Sequence, residues 1–193
     1  MIRVSGKFIY VAVPHTGSRT TTSVLLEQCG GQQLLPNTQH HALRKDVEAL
    51  DREKYPEPIY AVLRNPYEFV LSRYWHRQQV KFSNKLKVSK HPHCSLEEFI
   101  PDFARDVATL SIVETYQEYI DRYFLFSDGL RSFFTAVGFP HVDIPWIGKS
   151  PVTADNPQLK IEDLDSKYKD MIDESFPKEV ELYERVLADI GSA

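Results

Sequence analysis

Phe8-Ile-Tyr-Val-Ala-Val-Pro-His-Thr-Gly-Ser-Arg-Thr-Thr-Thr22 runs straight into Ser23-Val-Leu-Leu26, and Gly30-Gly31 follows. The first six residues are a β-rich apolar run that Pro14 stops, so they read as a buried strand. The polar stretch after it contains one glycine and leads into an apolar segment that the glycine pair ends, which is a helix with its stop signal. Strand, polar turn and helix in that order place free backbone N–H groups and the positive end of a helix at the strand's C-terminal tip. Such a turn suits an anion. Hydroxyls of Thr16, Ser18, Thr20 and Thr21 add donors, and His15 and Arg19 add positive charge. A Ser/Thr-rich helix start with no ligand explains the same residues equally well. The stretch is not a Walker A loop, because one glycine is missing and no Lys precedes the Ser/Thr.

A second unit of the same kind lies downstream. Ile59-Tyr-Ala-Val-Leu63 is an apolar strand closed by Arg64. Asn65 then caps a helix, with Pro66 at its first position and Glu68 three residues past the cap. Phe69, Val70, Tyr74 and Trp75 recur at helical spacing. Arg64 therefore stands at a strand's C-terminal end, where ligands of open α/β sheets gather, and its planar fork matches a phosphate. Ser72 lies about two turns into the helix. The competing explanation for Arg64 is an ordinary salt bridge.

Further along, Ser95-Leu-Glu-Glu98 is a capping box that predicts a helix to about Ala104, and residues 109–120 read as another helix. Tyr123–Phe126 is a short strand, and Leu130–Val137 a helix ended by Gly138. Phe139–Pro157 is irregular. Pro177–Ile190 is a terminal helix with Val180, Leu182, Tyr183, Val186, Leu187 and Ile190 on its apolar stripe. Alternating strands and helices predict an α/β domain with a P-loop NTPase-like three-layer fold and a central parallel sheet, formed by residues 1–193 as a single domain.

The bulk properties narrow the function. The chain has 193 residues and a net charge of −4, which gives no basic footprint for nucleic acid. Charge is uneven, however. Arg73, Arg77, Lys81, Lys85, Lys87 and Lys90 fall in a stretch without Asp or Glu, whereas 161–184 is mostly acidic. A solvated basic loop and a solvated acidic helix account for this as well as an anionic ligand does. Two cysteines are too few for a disulfide framework. With no apolar leader and no run of about 18 apolar residues, a soluble, cytoplasmic chain is expected. His91, His93 and Cys94 lack zinc-like spacing with a fourth ligand, so no metal is expected.

Together, the loop at Pro14–Thr22 and the Arg64–Tyr74 segment resemble the PAPS-dependent sulfotransferases, nearest to the carbohydrate-type branch that includes heparan 2-O-sulfotransferases. Family members carry a Pro-Lys-Thr-[Gly/Ala]-[Ser/Thr]-Thr-Ser-like loop for the 5′-phosphosulfate of PAPS (3′-phosphoadenosine-5′-phosphosulfate). They carry an Arg-[Asn/Asp]-Pro motif with a following Ser for the 3′-phosphate. The resemblance implies donor contacts from His15, Thr16, Gly17, Ser18, Arg19, Thr20, Thr21, Arg64 and Ser72. It extends weakly to Tyr119–Leu130, to Lys149 and Ser150 as a loop closing on the nucleotide, and to the terminal helix. It implies sulfuryl transfer to an acceptor hydroxyl, on a carbohydrate first of all, with PAP as the product.

The family's loop lysine is His15 here. A histidinium supplies similar charge and a neutral imidazole one hydrogen bond, so activity that varies with pH is one expectation and weakened or lost activity another. Arg19, one turn on, offers fixed charge. The resemblance also implies a histidine base ahead of the second strand. His41, 18 residues before Ile59, fits, with His40 as its neighbour and Glu68 as the weaker candidate. Catalytic roles thus fall to His15, Arg19 and His41. Two alternatives stay open: a nucleotide or small-molecule kinase on a related scaffold, and a non-catalytic protein that binds PAP or another nucleotide. The chain is short for this family, so a homodimer completing the acceptor groove is a further expectation.

Overall fold

The computed structural model describes residues 1–13, 16–34, 44–79, 95–107, 118–145 and 161–191. The chain is α/β, with a five-stranded sheet and, among the described residues, seven α-helices. It divides into two compact units, Met1–Arg64 with Ile112–Lys149 and Asn65–Ser111 with Ser150–Ala193.

The first unit holds the sheet. Its strands are β1 (Ile2–Val4), β2 (Phe8–Val11), β3 (Gln32–Gln33), β4 (Ile59–Leu63) and β5 (Arg122–Leu125), in the spatial order β3-β1-β2-β4-β5. β2, β4 and β5 run parallel, with Ile9 opposite Ile59 and Val62 opposite Phe124. β1 is antiparallel to both β2 and β3. The sheet is therefore mixed, not wholly parallel as expected. The reason is local. Only Ser5, Gly6 and Lys7 join β1 to β2, and so short a link can only reverse the chain; Gly6 supplies the φ of 70° that the turn uses.

Alternation along β2 sorts the core onto two faces. Phe8, Tyr10 and Ala12 pack with Val24 and Leu25 of α1 (Ser18–Gln28) and with Phe133 and Phe134 of α5 (Gly129–Ala136). Ile9 and Val11 face the other way, toward Val47 of α2 (Arg44–Glu48). Helix α5 ends as its glycine predicts. Phe139 N–H donates to Phe134 O at 2.7 Å and Gly138 N–H to Thr135 O at 3.1 Å, with Gly138 at φ 87°, a Schellman stop. Gln28 and Asp143 then exchange hydrogen bonds of 2.7 and 2.8 Å and tie the following segment to the end of α1.

The second unit contains α3 (Pro66–Gln79), α4 (Leu96–Val107), α6 (Ser166–Ser175) and α7 (Pro177–Gly191). Both predicted caps form. Asn65 Oδ1 accepts from Tyr67 N–H at 2.9 Å, and Ser95 and Glu98 close a reciprocal box at 2.8 and 3.2 Å. Val70, Leu71, Phe99, Phe103, Ile172 and Phe176 form the core of this unit. Tyr67 Oη donates to Asp173 Oδ1 at 2.6 Å, and burial together with that carboxylate pushes the phenol up to about 12. The acidic stretch is thus not simply solvated, since α6 and the residue after it turn Ile172 and Phe176 inward. On α7 Leu182, Tyr183 and Val186 are buried, but Leu187 and Ile190 remain 43% and 45% exposed. Residues 109–117 of the helix expected over 109–120 lie outside the described residues, and 118–119 form a turn.

An ion pair between distant residues anchors the β1–β2 hairpin. Glu57 Oε1 accepts from Arg3 Nε at 2.8 Å, Arg3 Nη2 at 2.5 Å and Gly6 N–H at 3.0 Å. These donors favour the carboxylate and hold its pKa down to about 2, with Arg3 the largest influence. A depressed carboxylate contributes stability above its unfolded pKa of 4.5 and loses it as pH falls toward 2. Glu57→Gln is expected to cost about 1–2 kcal/mol at neutral pH, with the difference from wild type vanishing as pH is lowered through that window. Urea unfolding of both proteins at pH 7, 4 and 2.5 checks this. A gap that persists unchanged at low pH contradicts it.

Candidate anion site at the sheet edge

All three parallel strands end at one edge of the sheet. β2 leads through the buried Ala12 and Val13 toward Thr16, β4 ends at Leu63 directly before Arg64, and β5 ends at a 3-10 turn, Phe126–Asp128. This is the edge at which open α/β sheets bind ligands.

Gly17 starts α1 in the left-handed region, at φ 69° and ψ 18°, and offers no side chain to cap the helix. Thr21 N–H closes the first turn onto Gly17 O at 3.0 Å. The N–H groups of Ser18 and Arg19 before it belong to the helix end whose donors have no partner within the helix itself, the usual source of anion affinity at such a place. Ser18 and Thr20 are buried in this first turn, and Arg19 between them is exposed.

The hydroxyls divide by role. Thr16 Oγ1 donates to Val13 O at 2.9 Å and Thr21 Oγ1 to Gly17 O at 3.2 Å, both from buried side chains. With their hydrogens bonded to the main chain, these two brace the turn and retain only acceptor capacity. Donation to an anion therefore falls to the main-chain N–H groups in the first instance. Beneath the turn is the fully buried Tyr10, whose hydroxyl faces those of Thr21 and Thr16 without meeting either at hydrogen-bond geometry. Burial raises its pKa well above the usual phenol range. A buried hydroxyl lacking a partner costs about 1–3 kcal/mol, so the floor of the turn holds an unmet donor.

Phe126 joins the turn to Arg64. A Cβ added to Gly17 would lie 3.0 Å from Phe126 Cε2 and 3.1 Å from Leu130 Cδ1, so the ring edge rests against the bare glycine. The Arg64 guanidinium lies over the same ring, 5.0 Å from its centroid, and Arg64 itself is partly buried. The structure thus brings together Thr16, Gly17, Ser18, Arg19, Thr20 and Thr21 on one turn and sets Arg64 on the ring beside it. Ser72 is half-buried on α3 in the second unit. Arg73, the first of the basic run, has its guanidinium over Phe103, 5.6 Å from the centroid.

His15, His40, His41, Lys149 and Ser150 lie outside the described residues, as do His91, His93 and Cys94. Glu68 is half-buried in the first turn of α3, consistent with its helix-start position. Among the described residues no three His, Cys, Asp or Glu side chains gather as a metal site. None of their helices is long and apolar enough to cross a membrane.

Sequence reasoning did not single out Tyr10 or Phe126. A tyrosine inside an apolar run reads as core, and nothing local marks its hydroxyl as unmet. Phe126 closes a strand, but its contacts with Gly17 and Arg64 span more than sixty residues of chain. No family model, curated protein or solved structure matches this chain.

Proposed function

We propose that the protein binds a nucleotide with two separate phosphate groups at this edge and acts as a PAPS-dependent sulfotransferase on a P-loop-like scaffold. One observation carries the reading: the uncapped turn at Gly17 and the Arg64 guanidinium share one aromatic ring at the C-terminal edge of parallel strands. That pairing offers one anion site of backbone N–H groups and a second of guanidinium donors. It matches a donor phosphorylated at both the 5′ and 3′ positions, as the two sequence motifs imply.

In the proposed reaction the 5′-phosphosulfate lies on the N–H groups of residues 16–20, and Arg64 takes the 3′-phosphate. An acceptor hydroxyl, of a carbohydrate in this reading, attacks sulfur in line and gives its proton to His41. The new O–S bond forms as the bond from sulfur to the bridging oxygen breaks, and the electron pair leaves with PAP. His15, helped by Arg19, offsets the charge that develops on the bridging oxygen. The scheme uses no metal.

Calorimetry with PAP, Mg·ATP and GDP tests the donor. Tightest binding of PAP is expected, and preference for Mg·ATP overturns the reading in favour of a kinase. His15 favours a second reading, a protein that binds PAP without moving sulfate. His15→Lys separates the two. Transfer to a glycan panel is expected to hold or rise several-fold in the variant, because lysine supplies a full charge at all pH values below its own pKa. If wild type and variant both bind PAP and neither transfers, the binding-protein reading stands.

A further inference from the structure

We infer that Phe126 is a positioning residue that sets the site's preference for a nucleotide carrying a second phosphate; the inference rests on the donor reading above. Its ring has two distinct neighbours. The edge atom Cε2 abuts Gly17, where a Cβ would stand only 3.0 Å away. The face carries the Arg64 guanidinium 5.0 Å from the centroid, inside the range at which the negative face of an aromatic ring attracts a cation. Arg64 has a long side chain with several rotors, and holding such a chain in one place costs conformational entropy at each binding event. A ring face that already holds the guanidinium removes part of that cost, so the phosphate meets a preformed fork. The ring is itself held. Phe126 starts the 3-10 turn Phe126–Asp128 that leads into α5, and it packs against the core that contains Phe124 and Phe133. The site therefore has a rigid hinge point between its two phosphate positions, and the part that reads the second phosphate depends on aromatic character at residue 126.

The experiment measures binding of PAP and of 5′-AMP by calorimetry to wild type, Phe126→Leu and Phe126→Tyr at one ionic strength. Phe126→Leu keeps apolar bulk but has no ring face. It is expected to weaken PAP about fivefold and to leave 5′-AMP within twofold. Phe126→Tyr keeps the face and is expected to bind both nucleotides as wild type does. Should Phe126→Leu fail to fold by circular dichroism, Phe126→Met carries the same comparison. Equal weakening of PAP and 5′-AMP overturns the inference, since the ring then acts only through the Gly17 turn. Unchanged PAP binding in Phe126→Leu overturns it too, while leaving the donor reading intact. Failure of wild type to bind PAP overturns the donor reading and this inference with it.

Discussion

Arg64→Ala is expected to weaken PAP binding about 100-fold while the fold is retained. Arg64 follows the last residue of β4, so its place is set by a strand paired on both sides, with Leu63 opposite Leu125. Its side chain rests on Phe126 at the sheet edge and does not fill the core. Truncation therefore removes little packing. It removes charge-assisted hydrogen bonds to phosphate, each about 1.5–3 kcal/mol, and 100-fold corresponds to about 2.7 kcal/mol. Arg64→Lys is expected to recover only part of the loss, because an ammonium lacks the planar two-pronged donor that matches phosphate oxygens. Calorimetry at fixed ionic strength, with thermal unfolding as the control for fold, makes the test. PAP binding within threefold of wild type in Arg64→Ala would falsify the assignment of Arg64 to a phosphate.

The second large effect is expected at Gly17. Gly17→Val should lower stability by about 3 kcal/mol and abolish phosphate binding at the turn. Two penalties combine. The backbone sits at φ 69°, where an L-residue pays about 1–2 kcal/mol and a β-branched one more. The new Cβ would also meet Phe126 and Leu130 at 3.0 and 3.1 Å, and both lie against the core around Phe133. Ring and leucine must each give way by a few tenths of an ångström against that packing, an overpacking cost of about 1–3 kcal/mol. The midpoint of thermal unfolding should fall by about 8 °C for a chain of this size. Gly17→Ala should show roughly half the loss. A Gly17→Val protein as stable as wild type would show that the turn does not depend on the left-handed conformation.

Much of the local structure was legible because its causes are local. The apolar run at Phe8 and the run at Ile59 became β2 and β4. Asn65 and the Ser95–Glu98 pair became helix caps at the residues their spacing marks. Gly138 ended α5 in the way a glycine beyond a helix does. In each case a side chain or a glycine acts on main chain within a few residues. The same locality made the turn at Thr16–Thr21 readable as a candidate anion site. It also explains why the hydroxyls there were expected to face a ligand, whereas Thr16 and Thr21 turn theirs to Val13 and Gly17. Whether a threonine in such a turn braces or binds depends on how the main chain bends around it.

What the sequence by itself determined was therefore the set of elements and the chemistry at their ends: a polar glycine turn after one strand and an arginine after another. Tertiary structure alone decided three things. It completed the mixed sheet by pairing β1 with β3, which lies on the far side of α1 in the chain. It joined Arg3 to Glu57 across 54 residues. It also set Phe126 between Gly17 and Arg64, turning two separate motifs into neighbours. Each is a contact between residues far apart in the chain. Side-chain periodicity and capping carry no record of such contacts; only the pairing of all five strands into one sheet brings them about.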